Sequence, residues 1–172
     1  MPLPLPPPRD PYAHSTLTLL TSRLIHWLIH HWHSWLDLPQ HPSIWYHERL
    51  REEIQERVEA QAQGGIAFLS ETADVYYTIS RASHNGYQIT PVPFVFRARA
   101  HALPYLYMVA KFTSRCAFYR VASRLAGGAG VREVVNPLKA AKRHEVAMRH
   151  GMDPARFQRV CRRLLKVWPI FP

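Results

Sequence analysis

Apolar residues recur at three- and four-residue intervals through most of this chain, and no stretch alternates convincingly with period two. The pattern predicts an all-α protein, a helical bundle of about five to six helices. The first spans residues 15–37, capped by Ser15 or Thr16, with Leu17, Leu20, Leu24, Leu28, Trp32 and Trp35 near one face. Ile25, Ile29 and Leu36 widen that stripe, which predicts a helix covered on two sides. Pro39 and Pro42 end it, and Ser43 caps a second helix over about 44–62. Gly64-Gly65 separates this from a third helix over about 66–83, closed by His84-Asn85-Gly86. Residues 87–101, which include Pro91 and Pro93, read as a loop. A long helix follows over about 103–126, with Pro104 in its first turn and Gly127-Gly128 past its end. Residues 131–151 carry one or two helical segments interrupted near Pro137. Asp153-Pro154 opens a last helix that stops before Pro169.

The organisation that follows is a Pro-rich arm over residues 1–14 and a single helical domain over 15–172. Within it, residues 44–126 form the core bundle and residues 131–168 the basic C-terminal helices. The formal charge is +10, with eleven histidines besides. That balance points to anionic partners: a nucleotide or other phosphorylated small molecule, or nucleic acid. Cys116 and Cys161 are too few for a disulfide framework and fit a reduced, intracellular compartment, cytoplasmic or nuclear. Mitochondrial import is the alternative, because no acid precedes Asp10, although the prolines oppose a transit helix. No stretch qualifies as a transmembrane segment. The broad apolar face of residues 16–36 fits a homo-oligomer interface.

Against this basic background the acids are concentrated. Seven of the twelve lie between Glu48 and Asp74. Glu53 and Glu56 form E-x-x-E; after a gap of fourteen residues Glu71 and Asp74 form E-x-x-D. Residues three apart share a helix face, with Cβ atoms roughly 5–6 Å apart. If the two helices pack antiparallel, four carboxylates converge, and they cannot all stay ionised without a cation between them. Mg²⁺, or Mn²⁺, takes such oxygen ligands and keeps waters for substrate phosphates. Glu48, Glu52, Glu53, Glu56 and Glu59 alternate with Arg49, Arg51 and Arg57, as on any solvated helix. Glu71 and Asp74 sit instead among Ala73, Val75, Tyr76 and Ile79, where an Asp needs a partner.

The run Leu50-Arg51-Glu52-Glu53-Ile54-Gln55-Glu56, followed by Ser70-Glu71-Thr72-Ala73-Asp74-Val75, resembles the signature of the MazG-like all-α nucleoside triphosphate pyrophosphohydrolases. The likeness covers about residues 45–85. It implies Mg²⁺-dependent cleavage of a nucleoside triphosphate to monophosphate and pyrophosphate. It implies Glu53, Glu56, Glu71 and Asp74 as metal ligands, and Asn136 with Lys139 as phosphate contacts. Glu56 is the candidate to orient or deprotonate the attacking water. Family members are often dimers or tetramers. The alternative is a non-catalytic basic module that binds nucleic acid or a partner complex, a degenerate member of the same fold.

Basic residues supply further candidates. Lys111 and Arg115, an i, i+4 pair flanked by Phe112 and Phe118, are expected to face the carboxylates, and with Arg81, two turns beyond Asp74, they are the candidates to bind substrate phosphate. Residues 143–163 have the outline of a helix-turn-helix, but a compact helical hairpin gives the same outline. His26 and His30 have a usable zinc spacing, yet no third ligand is near in sequence, so structural or surface roles are the expectation. The basic run around Cys161 predicts a lowered thiol pKa.

Overall fold

The computed structural model describes residues 16–90 and 98–171. The Pro-rich arm, the Ser15 cap and the centre of the predicted 87–101 loop lie outside them. The protein is all-α. Its helices are α1 (Thr16–Leu36), α2 (Ser43–Gln61), α3 (Gly65–His84), α4 (Ala98–Leu125), α5 (Ala140–Arg149) and α6 (Pro154–Leu164). No helix among the described residues is long and apolar enough to cross a membrane.

Helices α2 and α3 are an antiparallel hairpin because only three residues join them. Gly64 and Gly65 both take positive φ (63° and 53°), which a side chain would oppose. The far end is closed by Gly86 at φ 83° and by Asn85, whose amide donates to the Tyr46 hydroxyl. Tyr46, Leu50, Val75, Ala82 and Ile89 form the core of this end. Helix α4 runs 28 residues, about 42 Å, and links two further cores. Its first half packs Tyr105, Met108 and Phe112 on Ala73 of α3, with Tyr77 stacked on Phe112 at 3.7 Å between ring centroids. Its second half packs Phe118, Tyr119 and Ala122 against Val146 of α5 and Phe157 and Cys161 of α6. The α5–α6 pair is thus a hairpin docked on α4, held open at its start by the Asp153 cap on the Ala155 amide (2.9 Å).

Several boundaries and faces differ from the sequence reading. Helix α4 starts at Ala98, so Pro104 is interior, in its second turn rather than its first. Residues 131–139 are not helical; only Ala140–Arg149 is. Pro42, not Ser43, occupies the N-cap of α2, and no side chain caps it. The largest change is in α1. Leu24, Leu28 and Trp35 are about half exposed (56%, 46% and 49%), as is Trp27. The buried line is instead Ser22, His33 and Leu36, with Ile25, Ile29 and Trp32 packed on the α3–α4 core. Trp32 fixes this rotation by donating its indole N–H to Thr113 at 2.9 Å. Both cysteines are free and buried, and burial pushes the Cys161 thiol up to about 11, opposite to the expected lowering.

Candidate metal centre

The α2–α3 hairpin brings Glu53 of α2 beside Glu71 and Asp74 of α3, with one carboxylate oxygen from each lying within 4.8 Å of the others. The buried line of α2 runs Tyr46, Leu50, Glu53 and Ala60. Glu53 falls on that line and is 2% exposed. Glu56 is three residues on, which is about 60° around the helix, and it lies exposed at the rim. The converging set is therefore three carboxylates, with the fourth beside them.

Each of the two deepest carboxylates is held by one oxygen and bare at the other. Arg49, one turn before Glu53, grips Glu53 Oε1 and donates to Glu52 Oε2 at 2.9 Å. Lys111 Nζ, reaching from α4, donates to Asp74 Oδ2 at 2.8 Å and to Ser70 Oγ at 2.7 Å. The remaining oxygens, Glu53 Oε2 and Asp74 Oδ1, are buried and have no hydrogen-bond partner among the described residues. Buried acceptors are rarely left so. The orienting bonds fix the carboxylate planes, as second-shell donors do around metal ligands. Opposite corners of a Mg²⁺ octahedron are about 4.2 Å apart, so these three groups can share one cation after small side-chain adjustments.

The electrostatics agree with the geometry. Burial, then repulsion from Asp74, pushes the Glu53 carboxyl up to about 8, with Arg49 opposing. The same two causes raise Glu71. Burial lowers the Lys111 ammonium despite the opposing pull of Asp74, and burial also lowers Arg115. Without a cation, the cluster holds a proton on Glu53 near neutral pH.

The other sequence-predicted site residues divide. Arg115 is 6% exposed, lies one turn beyond Lys111, and feels Asp74 and Glu71; its Nε is buried with no hydrogen-bond partner among the described residues. Arg81 turns away. Its guanidinium donates to the carbonyls of His33, Leu38 and Pro39 and so ties the α1–α2 turn to α3. Two turns along the helix was the wrong guide, because Arg81 sits on the buried side that meets α1. Asn136 accepts from the Leu138 amide at 2.9 Å, a local turn, and Lys139 is the exposed N-cap of α5. Lys139 is not among the main charges acting on Glu53 or Glu71. Arg57, from the same acidic helix, donates to Thr72 Oγ1 at 3.1 Å and covers the Phe68 ring.

Two site residues escaped the sequence reading. Ser70 supplies the second acceptor for Lys111, and the Tyr107 hydroxyl is bonded to Ser70 within the field of Arg115, Asp74 and Glu71. Ser70 is one residue before Glu71, and Tyr107 is four before Lys111, the spacing that would have found it. No protein-family model, curated protein or solved structure matches the chain.

Proposed function

We propose that the protein is a divalent-cation-dependent hydrolase of nucleoside triphosphates, of the MazG-like type, that releases monophosphate and pyrophosphate. One observation carries this reading. Glu53 and Asp74, grouped with Glu71, each keep one buried oxygen without a hydrogen-bond partner among the described residues, while a basic side chain holds the other oxygen. Glu53, Glu71 and Asp74 would hold Mg²⁺ or Mn²⁺, with Glu56 at the rim. A cation there offsets charge on phosphate oxygens. Arg115 and Tyr107, which act on the same carboxylates, would bind the polyphosphate. Glu56, exposed to solvent and one turn from Glu53, is placed to take a proton from water. The water oxygen bonds to the α-phosphorus, the bond from that phosphorus to the α–β bridging oxygen breaks, and pyrophosphate leaves with the electron pair.

The test is pyrophosphate release from each nucleoside triphosphate. Release should require Mg²⁺ or Mn²⁺ and stop with chelator. No release with any of them, at millimolar cation, sinks the assignment.

A second reading rests on α6. Arg156, Arg159, Arg162 and Arg163 are exposed there, with Lys166 two residues past its end, and none takes part in an ion pair among the described residues. Read as a nucleic-acid face, five neutralised phosphates predict an affinity for a single strand that falls about 130-fold between about 50 and 200 mM salt. Charge reversal of α6 should abolish that binding while carboxylate variants leave it alone, measured by fluorescence anisotropy on a single-stranded oligonucleotide.

A further inference from the structure

We propose that the cavity between α1, the end of α3 and residues 86–90 binds an uncharged heteroaromatic ligand whose edge carries an adjacent N–H and C=O, as a lactam does. The cavity measures about 540 Å³, within the range of small-molecule sites. Its α3 wall is Ile79, Ser80, Ser83 and His84. At about 100° per residue these lie on the opposite side of α3 from Glu71 and Asp74. The site is therefore separate from the acidic centre and does not rest on the function proposed above. Trp27, Ile29, Ile79, Ile89 and Tyr105 make the lining largely apolar and aromatic, which suits the faces of a flat ring. Trp27 is 56% exposed, an indole half in solvent that a stacked ring would cover. Among the described residues no Asp, Glu, Lys or Arg lines the cavity. A cationic ligand would find no carboxylate there, and an anionic one no ammonium or guanidinium.

Two histidines supply the polar recognition. His30 and His84 both line the cavity, with ring centroids 4.5 Å apart. Their Nδ1 atoms meet at 3.3 Å, an imidazole–imidazole hydrogen bond. Burial, then Arg81, lowers the His84 pKa, which keeps that ring neutral at pH 7. In the neutral pair the two rings must differ. One carries its proton on Nδ1 and donates, leaving Nε2 as an acceptor; the other accepts at Nδ1 and carries its proton on Nε2, as a donor. Beyond the bond they share, the pair thus has one acceptor and one donor side by side. An adjacent N–H and C=O is the complement of that pair, and a lactam ring carries both on one flat edge. The wall behind is fixed. The His33 ring lies 5.5 Å from that of His84. The Ser80 hydroxyl donates to the Tyr77 carbonyl at 3.1 Å, so its oxygen accepts from His33 Nε2–H at 2.9 Å. Arg81 spends its donors on the carbonyls of His33, Leu38 and Pro39. A site built to pair a donor and an acceptor rejects an analogue that lacks one of them.

NMR titration of the full ¹⁵N-labelled chain with quinolin-2-one, a two-ring lactam, tests this. The expected result is saturable shifts of the backbone amides of residues 27–30, 79–84 and 86–90, with a Kd at or below about 1 mM, ordinary for a fragment of this size. 1-Methylquinolin-2-one keeps the rings and the carbonyl but has no N–H, and should bind at least about tenfold more weakly. Quinoline-2-carboxylate, an anion, and protonated 4-aminoquinoline, a cation, should each be weaker by a similar factor. His84→Ala should also weaken quinolin-2-one at least about tenfold. Saturating Mg²⁺ should leave its Kd unchanged, because the carboxylates are on the other side of α3. The proposal is overturned by an absence of saturable shifts at these residues, or by any of the three analogues binding as tightly as the parent. A folded His84→Ala that binds like the wild type, or a Kd that moves with Mg²⁺, overturns it as well. The ligand series needs only the wild type, so it decides the matter even where His84→Ala loses helical circular dichroism.

Discussion

Asp74→Asn is expected to remove the response to divalent cation and to lower stability together. Asparagine keeps the shape and one acceptor, so Lys111 retains a hydrogen bond, but the charge is gone. Lys111 is 1% exposed, and its only ion-pair partner among the described residues is Asp74. Removing one side of such a buried pair costs about 3–5 kcal/mol, or a melting temperature lower by on the order of 10 °C in a chain of this size. The wild type should be stabilised by about 2.7 kcal/mol when cation is at a hundred times its dissociation constant; the variant should gain almost nothing. Hydrolysis, where present in the wild type, should fall by at least about 10²–10³. Melting with and without Mg²⁺ reads the first two effects. A variant that melts with the wild type's full cation-induced shift would remove Asp74 from the ligand set.

Glu53→Gln should behave in the opposite sense without cation. The Glu53 carboxyl titrates at about 8 in the folded protein against 4.5 for the free group. Its folded-state pKa is raised, so its contribution to stability is complete below about pH 4.5 and is lost as pH rises through about 8. The loss is on the order of 5 kcal/mol over the whole range, of which about 2 falls above pH 6.5. Glu71 is raised too and adds in the same direction. His33 works the other way. Burial lowers its pKa to about 2 from 6.5, so its contribution is complete above pH 6.5 and is lost as pH falls. Above pH 6.5 the His33 effect is complete, and the lowered Lys111 ammonium offsets only part of the carboxyl decline. The cation-free protein should therefore lose stability between about pH 6.5 and 9, and Glu53→Gln should flatten that decline and be the more stable protein at pH 9. Saturating Mg²⁺ favours the ionised carboxylate, so it should also flatten the decline in the wild type and leave the variant unchanged. Urea unfolding across that range, in chelator and in Mg²⁺, measures all four curves. A wild type whose cation-free stability is level from pH 6.5 to 9 would mean that Glu53 is not proton-bearing.

Together the two substitutions separate a metal centre from a salt-bridge cluster. Both variants should lose the cation response, while one destabilises and the other stabilises the cation-free fold. A cluster whose only role is to pair Lys111 and Arg49 would give no cation response in the wild type.

Local sequence determined most of the helical plan. Glycines at positive φ, the Asp153-Pro154 start and the period of apolar residues act over a few residues, so the α2–α3 hairpin and the placement of Glu71 and Asp74 on one face were legible from spacing alone. Tertiary packing decided what spacing leaves open. Residues 24 and 28 are as periodic as 25 and 29, and the choice of which pair α1 buries is made by Trp32 reaching Thr113, 81 positions away. Glu53 and Glu56 are equivalent in pattern, but only one can lie on the line that α2 presents to α3. Arg81 follows Asp74 by two turns, yet the carbonyls ending α1 draw it elsewhere. His84 is 54 residues from His30, and only the packing of α1 on α3 sets their nitrogens 3.3 Å apart. In each case the deciding partner is distant in sequence, and the chemistry depends on a contact that no local periodicity encodes.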